Sequence, residues 1–295
     1  DPAFGTMDLI MGPLYPATIP VVGDYAGMNA KTMVNPVSSN ELIISGNPYA
    51  FLTSSTSGTI IDNVLAYATD SLNSPRAYII HGGKASESEI AEAYASQFAD
   101  KGGEVMSLFP FDYSKEGFQN LMDELAPLQK DSLAHVFIAA DAPVVALNTI
   151  SAMESMLSRA PIFASKDWLD MNQMDFEQLE KMKVYFYHPQ FYDTDEPATR
   201  AFIRKYVQRL SFYPSPYAFM GYASMYFFGS ALHKYGSQLP VSLHKAGFVP
   251  GLVYPGYNYD GGNDNQYVPI VRFVKGSLEV VNYPEPEQSL STERY

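Results

Sequence analysis

VYFYHPQFYDTDEPATRAFIRKYVQRLSFYPSPYAFMGYASMYFFGSALHKYG, residues 184–236, is the stretch that decides the fold. It opens as an aromatic strand over Val184–Tyr187 and stops at Pro189. Acidic residues 193–196 then signal the start of an amphipathic helix. Pro214 and Pro216 bracket a turn, and a second helix follows that is apolar almost all round. A strand feeding two helices of such different burial fits one lobe handing the chain to another, with the aromatics facing the space between them. The pattern points to binding in a cleft rather than to a catalytic motif.

Upstream, the same alternation recurs. Apolar runs at 7–11, 31–34, 50–53, 77–80, 104–108, 135–139 and 162–164 read as strands. Helical spacing fills 17–29, 59–70, 88–101, 115–128, 143–158 and 175–183, with Gly102 and Gly103 ending one of these helices. The rhythm predicts an α/β protein with parallel sheets flanked by helices on both faces. Ligands of such sheets bind beyond the carboxyl ends of the strands. The junctions at 12–15, 35–39, 81–86, 140–142, 165–168 and 188–192 are therefore candidate walls of one site. Near the C-terminus, 267–274 and 277–281 read as a β-hairpin turning at Lys275-Gly276, followed by a polar tail from 284 to 295.

A chain of 295 residues can bury one large core or two moderate ones. The net charge of −13 argues against nucleic acid, which is bound by Lys and Arg, and against an anionic membrane surface. The absence of cysteine excludes disulfides, thiolate nucleophiles and Cys-ligated metals. The longest uncharged run, 210–232, is interrupted by Pro214 and Pro216, and its unbroken part is shorter than the roughly 20 residues a bilayer requires. It reads as a buried core helix, and the protein as not membrane-spanning. The chain starts at Asp1 with no secretory signal, which predicts a processed, truncated or incompletely placed N-terminus.

Four segments carry a resemblance: DLIMGP at 8–13, MVNPVSSN at 33–40, DEPATRAFIRKY at 195–206 and PSPYAFMGYASMYFF at 214–228. Together the chain resembles the type I periplasmic-binding-protein superfamily, in its leucine/isoleucine/valine-binding branch. The resemblance covers nearly the whole chain and implies two lobes that close over a small ligand. It also implies an opening βαβα unit ahead of the strand at 8–11, which this sequence does not show. Open strand edges are sticky, so a preceding segment is expected: cleaved, disordered, or supplied by a partner that completes the first lobe.

Relatives that hold amino acids use hydroxyls, backbone amides and an acid from both lobes. By that resemblance, Leu14, Tyr15 and Pro16 fall where a serine is expected, Ser38 and Ser39 match the second hydroxyl-bearing loop, Ser86 falls where an aromatic often sits, and Lys166-Asp167 falls near the acid. Ser38 and Ser39 also suit a plain turn after Pro36, and Lys166-Asp167 a solvated pair. From the residues alone, Trp168, Tyr187 and Tyr192 are candidates to stack on a ligand, although half of an alternating strand faces the core. Residues 54–58 (SSTSG) offer either an anion site at a helix start or a capped crossover between lobes. The run DGGNDN at 260–265 lacks the spacing of an EF-hand and reads as a surface turn. His81-Gly82-Gly83 reads as a tight turn, since no G-x-S-x-G elbow accompanies it. The five histidines show no metal-ligand spacing, and no Gly-rich phosphate loop occurs.

The expected protein is thus two-lobed and non-catalytic, with no cofactor and no metal. One lobe comprises 1–56 and 188–255, the other 57–187 and 256–295, and the crossovers at 53–57 and 188–192 are hinges. The expected ligand-binding set is Tyr15, Ser38, Ser39, Ser86, Asp167, Trp168, Tyr187 and Tyr192. The resemblance places such a protein in the periplasm or cell envelope, with a small molecule or an envelope protein as its partner. The alternative is an interaction module whose cleft has degenerated.

Overall fold

The structure is a computed structural model in which residues 5–284 are described. The expected tail lies almost wholly outside that range. Among the described residues the strands pair into three sheets.

The first sheet is parallel and runs β1 (Leu9–Met11), β2 (Thr32–Asn35), β3 (Ala50–Leu52), with α1 (Ile19–Met28) between the first two strands. Every residue of β2 and β3 is buried, which is what short unbroken apolar runs do in a parallel sheet covered on both faces. On one side Ile10, Met33 and Ala50 pack with Ala26 of α1. On the other, Val34 and Phe51 pack against Phe219, Phe227 and Phe228 of α8 (Pro216–Tyr235), which follows α7 (Pro197–Leu210). The second of these helices, apolar almost all round in sequence, is buried on one side only: Tyr217, Met225 and Tyr226 of α8 are exposed. Among the described residues no helix is long and apolar enough to cross a membrane.

The large sheet has the order β12-β11-β8-β7-β6-β4-β5. Its strands are β4 (Arg76–His81), β5 (Glu104–Pro110), β6 (Ala134–Ala139), β7 (Ile162–Ser165), β8 (Val184–Tyr187), β11 (Ile270–Val274) and β12 (Ser277–Val280). The five from β8 to β5 are parallel. Alternation along each strand divides the core. Ala77 and Ile79 of β4 pack with Ile61 and Val64 of α2 (Ser57–Ala66) and with Tyr94 and Phe98 of α3 (Ala85–Asp100). Tyr78 and Ile80 pack with Leu121 of α4 (Gly117–Leu125), Val145 and Ile150 of α5 (Pro143–Ser155) and Leu179 of α6 (Phe176–Lys181). The expected hairpin is present. Lys275 and Gly276 take φ of 52° and 81°, as a two-residue turn between right-twisted strands requires, and β11 joins β8 antiparallel at Ile270↔Tyr187.

The segment between α8 and the hairpin was not legible as structure. It holds α9 (Leu239–Leu243) and a two-stranded antiparallel pair, β9 (Phe248–Pro250) with β10 (Gly256–Asn258). Gly256 is required there, because a Cβ would lie 2.3 Å from the Phe248 ring. Tyr257 and Tyr259 pack against Phe227, and Tyr259 meets Phe51 edge-on at 5.6 Å. Tyr257 and Tyr259 therefore pack in the core that covers the first sheet. Neither aromatic pattern nor turn residues distinguish which of two cores a short strand joins.

One buried side chain makes the large core sensitive to pH. His135 is fully buried, its ring nitrogens paired with the Tyr94 hydroxyl at 2.7 Å and the Ser74 hydroxyl at 3.0 Å. Burial pushes its pKa down to about 4 from 6.5. The folded state thus resists a proton that the unfolded chain accepts. Its stabilising contribution is complete above pH 6.5 and is lost as pH falls towards 4, by about 3 kcal/mol in total. Urea midpoints measured from pH 7 to pH 4.5 are expected to fall accordingly, and His135→Gln is expected to flatten that slope.

Candidate functional site

Topology alone brings two sets of strand ends together. The chain leaves the first sheet at the carboxyl end of β3 and enters α2 within five residues. Because α2 runs away from this point and β4 returns, the carboxyl ends of the parallel strands in the large sheet also lie at the junction. The chain passes back at 188–192 and crosses once more between β10 and β11. Two sheets thus present their carboxyl ends to one seam, the position at which open α/β sheets bind ligands.

The rim on the first-lobe side is built around Asn35, 1% exposed at the end of β2. Its side-chain amide donates to the Pro13 carbonyl at 2.8 Å, while its oxygen accepts from the Val37 and Ser38 amides at 3.0 and 2.8 Å. One buried side chain therefore holds the loops after β1 and β2 in register. On these loops Ser38 is half-buried and accepts from the Asn40 amide; Ser39 is exposed, and Tyr15 is 77% exposed beside exposed Leu14.

The rim on the other lobe is charged. Glu87, buried at the start of α3, accepts from the backbone amides of Lys84 and Asp141 at 3.1 and 3.3 Å and pairs with the Lys84 ammonium at 3.2 Å. Burial alone would raise its carboxyl; the two amides and the ammonium outweigh that and hold it below the ordinary range. A Cβ at Gly82 would lie 2.3 Å from the Glu87 carboxylate, so a side chain there would displace it. Lys166 and Asp167 pair at 2.7 Å, and Asp167 also accepts from the Ser165 hydroxyl at 3.0 Å. Burial opposes ionisation of Asp167 too, but Lys166 and Ser165 hold its pKa below normal. Asp141 is pushed the other way, first by burial and then by the charge of Asp167. Burial, followed by the charges of Asp141 and Asp167, raises the Tyr187 phenol, placing Tyr187 in the same electrostatic cluster. At His188, burial and then Lys166 push the pKa down to about 4, leaving the ring neutral at pH 7.

Of the residues singled out from sequence, the structure groups Asp167 and Tyr187 on this charged rim, with Ser86 exposed on the first turn of α3, one residue from Glu87. Ser38, Ser39 and Tyr15 belong to the opposite rim. Half-buried Tyr192 stacks on Phe219 at 4.1 Å, so one ring face is committed to the first-lobe core. Trp168 is a correction. It is 0% exposed, sits among the buried residues of the large core and donates its indole N–H to the Ala140 carbonyl at 3.0 Å. It anchors the loop after β7 from beneath and does not face the seam. Tyr185 and Phe191 are buried as well.

Sequence reasoning missed the third crossing. The run 260–265 is no surface turn at its end: Asp264 and Asn265 are 5% and 3% exposed. The Asp264 carboxylate accepts from the Thr56 amide at 2.8 Å and the Thr59 hydroxyl at 2.6 Å, at the start of α2. The two polar runs, SSTSG and DGGNDN, form one assembly, and the anion at this helix N-terminus is internal. The Gln190 side chain adds the second crossing by donating to the Ser54 hydroxyl at 3.0 Å. The available signal was the pairing of a hydroxyl-rich helix start with an acidic run about 200 residues away.

Among the described residues no group of His, Cys, Asp and Glu is placed to hold a metal ion. The arrangement offers paired charges, hydroxyls and half-buried rings around a seam crossed three times.

Comparisons with known proteins agree with this geometry. A family model described as a periplasmic binding protein matches residues 5–247. An ABC transporter substrate-binding protein from Desulfitobacterium hafniense, in complex with Leu, aligns with a TM-score of 0.60 at 17% identity, covering 95% of this chain and 82% of that one. A putative branched-chain amino acid ABC transporter from Rhodospirillum rubrum gives 0.64 at 16% identity, covering 88% and 75%. The substrate-binding protein of a branched-chain amino acid transporter from Streptococcus pneumoniae, in complex with isoleucine, gives 0.55 at 16% identity, covering 94% and 79%. No curated protein matches. The chain belongs to the periplasmic binding protein family, with the type I, leucine/isoleucine/valine-binding-like fold.

Proposed function

We propose that this protein binds a small polar ligand in the seam between its lobes and performs no bond-making chemistry there. The observation that carries this reading is the convergence of both sets of strand carboxyl ends on a seam lined by Lys84, Glu87, Asp141, Lys166 and Asp167 on one side and by the Asn35-ordered hydroxyl loop on the other. Paired charges facing a hydroxyl rim suit a molecule of amino-acid size that carries charge of both signs; Leu and isoleucine in two of the similar structures support that class. Ser38, Ser39, Ser86, Asp167, Tyr187 and Tyr192 are the proposed lining, with Tyr15 on the outer lip. Closure works by differential affinity for the closed state. The lobes we assign meet near residues 54–55, 188–192 and 264–265, and family membership supports a periplasmic or cell-envelope location.

One observation favours a second reading. Leu14 and Tyr15, 58% and 77% exposed, give the first-lobe rim an apolar lip of the kind that meets other proteins. On that reading an envelope protein replaces the small molecule, or completes the first lobe.

A thermal-shift panel separates the two. Amino acids, short peptides, sugars and muropeptides are screened, and at least one is expected to raise the melting temperature in a saturable way, since a ligand of the native state alone stabilises by mass action. Silence across the panel, together with a stably co-purifying protein, would favour the scaffold.

A further inference from the structure

We propose that Asp264 is a positioning residue that limits the range of angles the two lobes sample. This rests on the ligand-binding reading but is tested without ligand.

Partners change along the third crossing between Asn263 and Val268. Asn263 belongs to the first lobe: its carbonyl accepts from the Leu52 amide at 2.8 Å, and its side chain donates to the Asn47 and Ala50 carbonyls at 3.1 and 2.8 Å. Gln266 spans both: its amide donates to the Asn258 carbonyl of β10 at 2.7 Å, and its carbonyl accepts from Asn63 of α2 at 3.0 Å. Asp264 and Asn265 stand at the changeover. The first crossing divides at the same level. Thr53 is tied to the first lobe through the Asn35 and Pro36 carbonyls, whereas Thr56 caps α2. A rotation of one lobe against the other is therefore absorbed at 54–55 and 264–265, between two segments that lie side by side.

Asp264 decides which lobe its own crossing follows. Its carboxylate holds the Thr56 amide, the Thr59 hydroxyl and the Gln266 side chain, so the crossing is fastened to the N-terminal turn of α2. The adjacent Ser55 hydroxyl donates to the Asn265 carbonyl, which locks the two crossings to each other. While these bonds hold, bending is confined to a short pair of strands with one axis. Without the carboxylate the third crossing loses its attachment to the first turn of α2 and is held to that helix through Asn63 alone, so the lobes sample a wider range of angles.

The cysteine-free chain allows spin labels to be placed at two introduced cysteines without background. Glu41→Cys and Lys115→Cys, both exposed and on opposite lobes, report the inter-lobe distance by pulsed electron resonance in the ligand-free protein. Asp264→Asn removes the charge while keeping the size. It is expected to broaden the distance distribution about twofold, as release of a hinge constraint would. Thr59→Val, which deletes one bond to the same carboxylate, is expected to broaden it less, and it serves as the test should Asp264→Asn fail to fold. A merely structural role predicts a lower melting temperature with an unchanged distribution; that outcome in a folded variant overturns the proposal. Absence of any ligand would not alter this readout, so failure of the binding reading remains distinguishable.

Discussion

Replacing Trp168 with alanine is expected to destabilise the protein by about 3–5 kcal/mol, the range for deleting a fully buried large aromatic. Trp168 is the single tryptophan, 0% exposed, and its indole is held by the Ala140 carbonyl. Two effects add. The ring leaves a cavity among side chains of the large core that close packing prevents from collapsing fully. The Ala140 carbonyl also loses its buried donor. Trp168→Phe should recover much of the packing and none of the hydrogen bond. Urea unfolding followed by circular dichroism measures both variants. A loss below about 1 kcal/mol in Trp168→Ala would mean that the ring faces the seam after all.

Phe51→Ala is expected to cost about 3–5 kcal/mol as well, for a different reason. Phe51 is the central residue of β3 and is completely buried. Its ring meets Phe228 of α8 at 6.4 Å, His244 at 5.8 Å and Tyr259 edge-on at 5.6 Å. It therefore joins three sequence-distant segments of the first lobe: the opening sheet, the long helix and the return from β10. A three-stranded sheet has little other apolar area with which to hold such a helix, so the loss should fall on the first lobe. Hydrogen exchange is the check. Amides of α8 should lose protection while those of β4 and β6 keep theirs; equal loss in both lobes would show a single cooperative core instead.

The large sheet was legible because its inner strands β4, β6, β7 and β8 are buried on both faces and its helices carry one apolar stripe each. Strand limits at 184–187 match the sequence reading; the others shift by one or two residues, except that the strand read at 267–274 begins three residues later, at Ile270. The hairpin was legible because Gly276, which takes positive φ freely, marks a turn between two apolar runs. What failed shares a cause: contacts between residues far apart in sequence. Trp168 follows a strand and precedes acidic residues, and nothing local shows that its ring turns under the sheet. Asp264 sits in a run that looks like a solvated turn, and only its meeting with Thr56 and Thr59 makes it a buried hinge element. Tyr257 and Tyr259 carry an alternating strand pattern that either lobe would accept. The rim was read in outline, since Asp167 and Tyr187 fall on it, but Glu87 and Asn35, which organise it, have no motif of their own.

On the reading proposed above, two lobes grip one small molecule in the seam they share. Native mass spectrometry of the 32.7 kDa chain, titrated with the panel members that raise its melting temperature, tests this most directly. A single saturable adduct of one small molecule per chain is expected, weakened when Asp167 is replaced by alanine. A bare chain across the whole panel, or a chain that carries only another protein, would contradict it.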